Sequence, residues 1–571
     1  MPTGRNATRR DLLQFGAATA AALAAAGLDP GGWTRAFAQQ RVSEADLLAF
    51  QPVGNVTLVH VTDIHAQLMP VWFREPTVNL GVGEAKGVPP HVTGKALLES
   101  YKIPAGSPLA YALADVDFEA LAKTYGRVGG LDRVATIVQA IRAERGDRVV
   151  LLDGGDTWQN SWTSLATKGQ DMVDCMALLK PDAMTAHWEF TLGEARVKEI
   201  VDSLGFPFLC QNVRESEFQD EVFKGSTVVE RGGVKIGIVG QALPYTPIAN
   251  PRWMIPNWSF GIREKELQAE VDKLRAGGAQ LVVLLSHNGF DVDRKLAGRV
   301  SGLDVILTGH THDALPEPLK IGKTLLVASG SHGKFVSRLD LDVRDGTVRD
   351  FRYRLIPVLA DVIKPDAAMA ATIARHRAPH AKMLAEEVGR TETTLYRRGN
   401  FNGTLDDVIC EALIAERDAE IALSPGFRWG PSLLPGQAIT REDVYNATAM
   451  TYPAAYRMAM TGARLKEILE DVADNIFNPD PYLQQGGDMV RVGGLAYTID
   501  VGKPIGSRIG DLTLTRTGQP LAADKDYTVA GWASVNEGTE GPAIWDVVFA
   551  HLGRKKTVAP TGASTVKIVG A

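Results

Sequence analysis

The chain has 571 residues, enough for two or three domains with full cores, and its three cysteines are too scattered for a disulfide framework or a zinc knuckle. Apolar residues make up 45% and charged residues 22%, which excludes a disordered or fibrous protein. The net charge of −6, without a long basic tract, speaks against a nucleic-acid backbone as the main partner, and any metal has to be held by histidine and carboxylate.

Residues 1–38 read as an export signal: Arg9-Arg10, an Ala/Leu-rich stretch to Leu28, and the small-x-small site Ala36-Phe37-Ala38. The paired arginines point to the twin-arginine route and so to a bacterial periplasm. The apolar run is too short and too weak to hold a bilayer span.

Over 50–365 one pattern recurs: a short β-rich run, a turn carrying His or Asp, then a helical stretch. The predicted strands are Val56–Val61, Arg148–Leu152, Ala183–Thr185, Val234–Val239, Leu281–Leu285, Val305–Leu307 and Thr324–Ala328. Several are continuously apolar, as strands covered on both faces are, so the spacing predicts an α/β sandwich with its chemistry at the strand ends. The Gly/Pro-rich stretch 68–114 reads as a long excursion over one face. Residues 366–388 read as a linker helix into a second domain, 389–571, with helices near 405–420 and 461–476.

Four clusters follow predicted strands: Asp63-Ile64-His65, Gly154-Gly155-Asp156-Thr157-Trp158-Gln159, Ser286-His287-Asn288 and Gly309-His310-Thr311-His312-Asp313. An Asp-x-His pair directs two side chains from one strand end toward the same ion. Asp156 has two oxygens and can bridge two ions, while the Gly-His-Thr-His turn presents two imidazoles. Three or more N/O donors per ion suit Mn²⁺, Fe or Zn²⁺ and leave room for water or substrate. Two ions about 3.5–4 Å apart activate water and clamp a tetrahedral oxyanion, which fits hydrolysis at phosphorus or sulfur. His60 alternates away from Asp63 and reads as core, and His332 reads as a candidate cavity contact. His91, His376, His380 and His551 lack a partner pattern and read as packing or surface residues.

In this order the motifs resemble those of the metallophosphoesterase domain of the 5'-nucleotidase family, and the likeness continues through the second domain. The resemblance implies a four-layer α/β/β/α metallophosphoesterase sandwich followed by a 5'-nucleotidase-type α/β C-terminal domain that binds substrate or carrier. It implies one ion on Asp63, His65, Asp156 and His312, and a second on Asp156, His187, His287 and His310. The family's usual motif Gly-Asn-His-Glu-Phe-Asp stands here as Ala186-His187-Trp188-Glu189-Phe190-Thr191. The ligand Asn has become His187, the catalytic His has become Trp188, and the Asp that orients it has become Thr191.

An imidazole still ligates, but an indole cannot protonate an alkoxide leaving group, so ordinary nucleotidase chemistry should be poor. A persulfide leaves as a stable anion and needs no general acid. The substituted motif resembles that of the SoxB thiosulfohydrolases of bacterial sulfur oxidation. That likeness implies two Mn²⁺, with Zn²⁺ or Fe accepted by the same donors, and hydrolysis of the terminal sulfonate from a cysteine-S-thiosulfonate on the C-terminal arm of a SoxYZ carrier protein, releasing sulfate. Catalytic roles then fall to Asp156, His187, Trp188 and Arg428. Trp188 walls the cavity, and Asn288 and Gln159 support the ligands. Pro425-Gly426-Phe427-Arg428 resembles the family's Gly-Gly-x-Arg substrate loop, so Arg428 is expected to grip the sulfonate, with Arg397 or Arg398 as weaker candidates. The alternatives are a periplasmic 5'-nucleotidase or phosphodiesterase and a non-catalytic carrier-binding protein.

Overall fold

The computed structural model describes residues 42–570, so the export signal read over 1–38 lies outside the described residues. Among them no helix is long and apolar enough to cross a membrane.

Eleven strands form two sheets. They are β1 (Val56–Val61), β2 (Val149–Asp153), β3 (Ala183–Met184), β4 (Ser226–Arg231), β5 (Val234–Gln241), β6 (Leu281–Ser286), β7 (Val305–Thr308), β8 (Leu319–Ile321), β9 (Thr324–Ala328), β10 (Phe335–Arg344) and β11 (Thr347–Pro357). The first sheet runs β11-β10-β1-β2-β3 and the second β8-β9-β7-β6-β5-β4. β1, β2 and β3 are parallel, as are β9, β7, β6 and β5; the antiparallel β10–β11 hairpin, β8 and β4 close the edges.

Side-chain alternation explains the continuous apolar runs. Val56, Leu58, Val150 and Leu152 of the first sheet share one core with Ile236, Val283, Leu285 and Leu307 of the second, the layer between the sheets. Their alternates Val59, Val61 and Leu151 pack outward under α1 (Leu131–Arg145), and Val282 and Leu284 pack under α2 (Glu264–Ala276) and α3 (Phe290–Ala297). Both faces of each sheet are covered, which gives four layers, α/β/β/α. Truncating a side chain in the middle layer, such as Leu285→Ala, should cost about 2–5 kcal/mol.

The stretch 366–388 is two helices, α4 (Ala367–Arg377) and α5 (Ala381–Leu384), and a strand already begins at Glu387. Pro379 ends the first helix, because its ring clashes with the preceding turn and it has no N–H to donate. Beyond it, α6 (Thr404–Glu416) and α8 (Ile544–Lys555) flank a sheet of β12 (Ile421–Gly426), β13 (Ala455–Thr461), β14 (Asp488–Gly493) and β15 (Asp526–Trp532) in the order β13-β15-β12-β14. Between β13 and β14 runs α7 (Gly462–Phe477), which packs Leu469 and Phe477 against Phe401 and Tyr497. The long excursion reaches this part of the chain: Val78, Leu80 and Val82 pack on the Phe401–Phe477 cluster, and the Leu80 N–H donates to Asn400 Oδ1 at 2.6 Å.

Candidate metal centre

Because the central strands are parallel, the loops leaving β1, β2, β3, β6 and β7 emerge at one end of the sandwich. They are held there in unusual backbone conformations. Asp63, His65, Asp156, His310 and His312 all have positive φ, between 51° and 72°. Each such residue costs on the order of 1–3 kcal/mol, and the surrounding hydrogen bonds offset it. The N–H groups of Asp63 and His65 donate to Gly155 O and Asp156 O at 2.8 and 2.7 Å, zipping the first two loops together. Gly309 is required by space: a Cβ there would lie 2.5 Å from Thr62 Oγ1 and 3.0 Å from both Asp63 Oδ2 and His287 Nδ1.

The loops bring all seven expected ligands together. Asp63, His65, Asp156 and His312 form one group and Asp156, His187, His287 and His310 another, with donor atoms within 4.8 Å of one another. Asp156 belongs to both. Its Oδ1 accepts from the Trp188 backbone N–H at 2.7 Å, while Oδ2 lies 3.1 Å from His287 Nε2, 3.3 Å from His187 Nδ1 and 3.8 Å from His65 Nε2.

The outer nitrogens of His65, His287 and His310 are committed elsewhere. His65 Nδ1 donates to Asn160 Oδ1 at 2.8 Å, His287 Nδ1 to the Gly154 carbonyl at 2.6 Å, and His310 Nε2 to the Gln485 carbonyl at 2.9 Å. Each bond fixes a tautomer and leaves the other nitrogen for an ion.

The donor set fits divalent cations. His287 Nε2 is buried without a hydrogen-bond partner, and His312 Nε2 faces His65 Nε2 at 2.9 Å and Asp63 Oδ1 at 3.3 Å. Burial keeps His65 down at about 4 and His312 well below the usual range, so both imidazoles are neutral, the ligating form. Burial pushes Asp63 up to about 7; against burial, His187 and His287 hold Asp156 well below the carboxylate range. Also against burial, the Asp156 and Asp63 carboxylates drive His287 up to about 10. The two buried carboxylates beside the neutral imidazoles of His65 and His312 make a donor set that a divalent cation fits.

His187 and Trp188 sit where β3 turns into a short helix, Trp188–Leu192. Trp188 is 6% exposed and its ring joins the C-terminal core, stacked parallel to Tyr452 at 6.1 Å and edge-on to Phe427 at 5.2 Å and Trp429 at 6.2 Å. This wall borders an open cleft of ≈320 Å³ that exposes His65, Asp156, His187, His310 and His312 on one side and Arg428, Gln485 and Asp488 on the other.

Arg428 reaches the cleft, with its guanidinium donating to the His310 carbonyl at 3.2 Å and the Gly487 carbonyl at 2.6 Å. Arg397 does not. It is buried in an ion pair with Asp406 at 2.8 Å, because α6 supplies the carboxylate, the Ala447 carbonyl accepts at 2.8 Å and the Trp429 ring covers the guanidinium. Arg398 supports the Gly-His-Thr-His turn from behind, donating to His312 O at 2.7 Å and Thr311 O at 3.2 Å. His332 is held between Ser331 Oγ at 2.8 Å and the Gly430 N–H at 3.2 Å. His60 bonds Ser329 Oγ at 2.7 Å inside the sandwich, as a core histidine. Asn288 donates to Gln241 Oε1 and Asp293 Oδ1 at 2.6 and 2.9 Å, and Gln159 to Thr191 Oγ1.

Three contributors had little or no local signal. Glu189 accepts from the backbone N–H groups of Thr157 and His187 at 2.6 and 2.8 Å. Asn250 accepts from His187 Nε2 at 2.9 Å. Gln485-Gly486 closes over His310 so tightly that a Cβ on Gly486 would lie 2.5 Å from His310 Nε2. Glu189 could have been found from its place in the His187–Thr191 motif; the other two meet the site only through the fold.

Residues 384–548 match the model of the 5'-nucleotidase C-terminal domain. The 5'-nucleotidase of Rattus norvegicus is 26% identical over 477 residues, covering 74% of this chain and 80% of the relative. A snake venom 5'-nucleotidase of Crotalus adamanteus is 32% identical over 194 residues, 33% of this chain and 32% of that one. Among solved structures, the sulfate thiohydrolase SoxB of Thermus thermophilus in complex with glycerol superposes with a TM-score of 0.89 at 37% identity, covering 92% of this chain and 98% of that one. A 5'-nucleotidase precursor, also from Thermus thermophilus, superposes at 0.72 with 22% identity, covering 90% and 100%.

Proposed function

We propose that this chain, which belongs to the 5'-nucleotidase family of metallophosphoesterases, is a periplasmic thiosulfohydrolase that removes the terminal sulfonate from a cysteine-S-thiosulfonate carried on a SoxYZ-type protein. The observation that carries this reading is Trp188. At the position where the family keeps its catalytic histidine stands an indole, its ring packed on Tyr452, Phe427 and Trp429 and its backbone N–H spent on Asp156. The 37% identity with a sulfate thiohydrolase over 98% of that chain points the same way.

In the proposed reaction R–S–S–SO₃⁻ and water give R–S–S⁻, SO₄²⁻ and two protons. The S–S bond to the sulfonate breaks, the persulfide keeps the electron pair, and a water oxygen bonds to the sulfonate sulfur. A pair of divalent ions, manganese in this proposal, supplies water activation and positive charge toward the sulfonate oxygens. Asp63, His65, Asp156 and His312 would hold one ion, and Asp156, His187, His287 and His310 the other. Arg428, on the facing wall, orients the sulfonate through its remaining N–H groups. The aromatic wall of Trp188, Phe427 and Trp429 keeps bulk water off the departing persulfide and offers it no proton, which this leaving group does not need.

The test is sulfate release from a carrier charged with cysteine-S-thiosulfonate, run beside AMP with the same manganese-loaded protein. Sulfate with little AMP cleavage is expected. AMP cleavage without sulfate would return the chain to the nucleotidase reading that its curated relatives favour, and metal binding with neither activity would favour a carrier-binding role.

A further inference from the structure

The substitution of His187 for an amide ligand creates a requirement that an asparagine ligand does not have. An amide oxygen ligates in one way only, but an imidazole has two nitrogens, and the one facing the ion must be the one without the proton. His187 Nδ1 faces Asp156 Oδ2 at 3.3 Å; Nε2 faces Asn250 Oδ1 at 2.9 Å. An amide oxygen can only accept, so the proton is held on Nε2 and the Nδ1 lone pair is directed at the second group of donors.

Asn250 is itself fixed for this purpose. It is 2% exposed, it caps the short helix Thr246–Ala249 with its backbone N–H on Thr246 O at 2.9 Å, and Pro251 follows it. Its Nδ2 has no hydrogen-bond partner among the described residues, so the side chain's one hydrogen bond is the one to His187. The Asn250 amide also neighbours the Tyr452 hydroxyl, and the Tyr452 ring is the plane stacked on Trp188. Two of the three altered positions of the motif are thus braced, His187 by a hydrogen bond to Asn250 and Trp188 by the stacked ring of Tyr452.

We infer that Asn250 is a positioning residue for the second metal ion: by accepting the Nε2 proton of His187 it selects the tautomer that ligates through Nδ1. The inference rests on the reading of His187 as a metal ligand. It assigns Asn250 no contact with substrate.

The test uses the full chain and Mn²⁺ itself, with ion stoichiometry and affinity measured by elemental analysis and titration against a graded chelator. Three variants are compared: Asn250→Leu, similar in volume but unable to accept; Asn250→Asp, which still accepts; and His187→Ala. Asn250→Leu should weaken one of the two ions by about 10–100-fold and leave the other unchanged. Asn250→Asp should restore two-ion binding. A merely structural role would lower both affinities together or fail to be rescued by Asp, and either result overturns the inference. If His187→Ala loses one ion while Asn250→Leu keeps both at full affinity, Asn250 is not the positioning group and the ligand reading stands. If His187→Ala keeps both ions, the ligand reading fails first and takes the inference with it.

Discussion

The Glu189 carboxylate lies 2.6 Å from the backbone nitrogen of Thr157, and its second oxygen lies 2.8 Å from the backbone nitrogen of His187. One buried side chain therefore joins the loop that carries Asp156 to the loop that carries His187. Glu189→Gln keeps the shape, removes one acceptor and turns an NH₂ group toward N–H donors. The expected result is a loss of about 1–3 kcal/mol in stability, from leaving buried donors unmet. A fall of about 10–100-fold in Mn²⁺ affinity should accompany it, because the loops no longer hold their ligands in register. Thermal unfolding with and without Mn²⁺ measures both.

Trp188 blocks one chemistry and supports a core, and two substitutions separate these roles. Trp188→Ala empties the space between Tyr452, Phe427 and Trp429 and should destabilise by about 3–5 kcal/mol. Trp188→His with Thr191→Asp restores the family's acid and its orienting carboxylate. AMP hydrolysis should then rise at least tenfold, toward the roughly 10²–10⁴ that a fully positioned general acid contributes, while sulfate release from the charged carrier falls. Unchanged AMP turnover in a folded, metal-loaded double variant would mean that something other than Trp188 excludes nucleotides.

How much of this was legible depended on the distance between the residues involved. The predicted strands Val56–Val61 and Leu281–Leu285 appear because both sheet faces are apolar, a property of consecutive residues. Six of the ligands were legible because each cluster sits on one turn, whereas His187 was found only through the resemblance to the family motif. β10 was not, since Arg338 and Asp340 interrupt its apolar pattern; they are buried as an ion pair at 3.0 Å, which local hydrophobicity does not register. Asn250 and Gln485 were invisible for a different reason: they lie 63 and 175 residues from the histidines they touch, and only the folded chain brings them there. Arg397 misled because its fate is set by Asp406, nine residues on, which turns its guanidinium inward.

Removing metal should loosen this end of the sandwich. With seven His and Asp side chains gathered into two groups of donor atoms, ions that bind the folded chain stabilise it by mass action. At a free Mn²⁺ concentration about one hundred times Kd, each site contributes about 2.7 kcal/mol. Chelation should lower the unfolding temperature and raise hydrogen exchange in the loops at 62–67, 154–160 and 309–313, and adding Mn²⁺ or Zn²⁺ should restore both. Exchange that stays unchanged on chelation would mean that these loops are held by their own hydrogen bonds without an ion.

A carboxyl far from the centre gives a pH test of the fold. Burial, together with Asp406 and Glu411 beside it, pushes Asp407 up to about 7. Arg397 and Arg491 are drawn to Asp406, at 2.8 and 3.4 Å, and among the described residues no cation pairs with Asp407. The unfolded chain releases this proton near pH 4, whereas the folded chain keeps it until about 7. Over that window the folded state binds more protons, so the group makes stability fall as pH rises. Asp407→Asn removes the dependence. The variant should match the parent at pH 4, and above pH 7 it should be more stable by about 1 kcal/mol, once solvent screening of the half-buried group is allowed for. Paired thermal melts from pH 4 to 8 would show it; a gain that is the same at both ends of the range would place its origin in packing rather than in the charge.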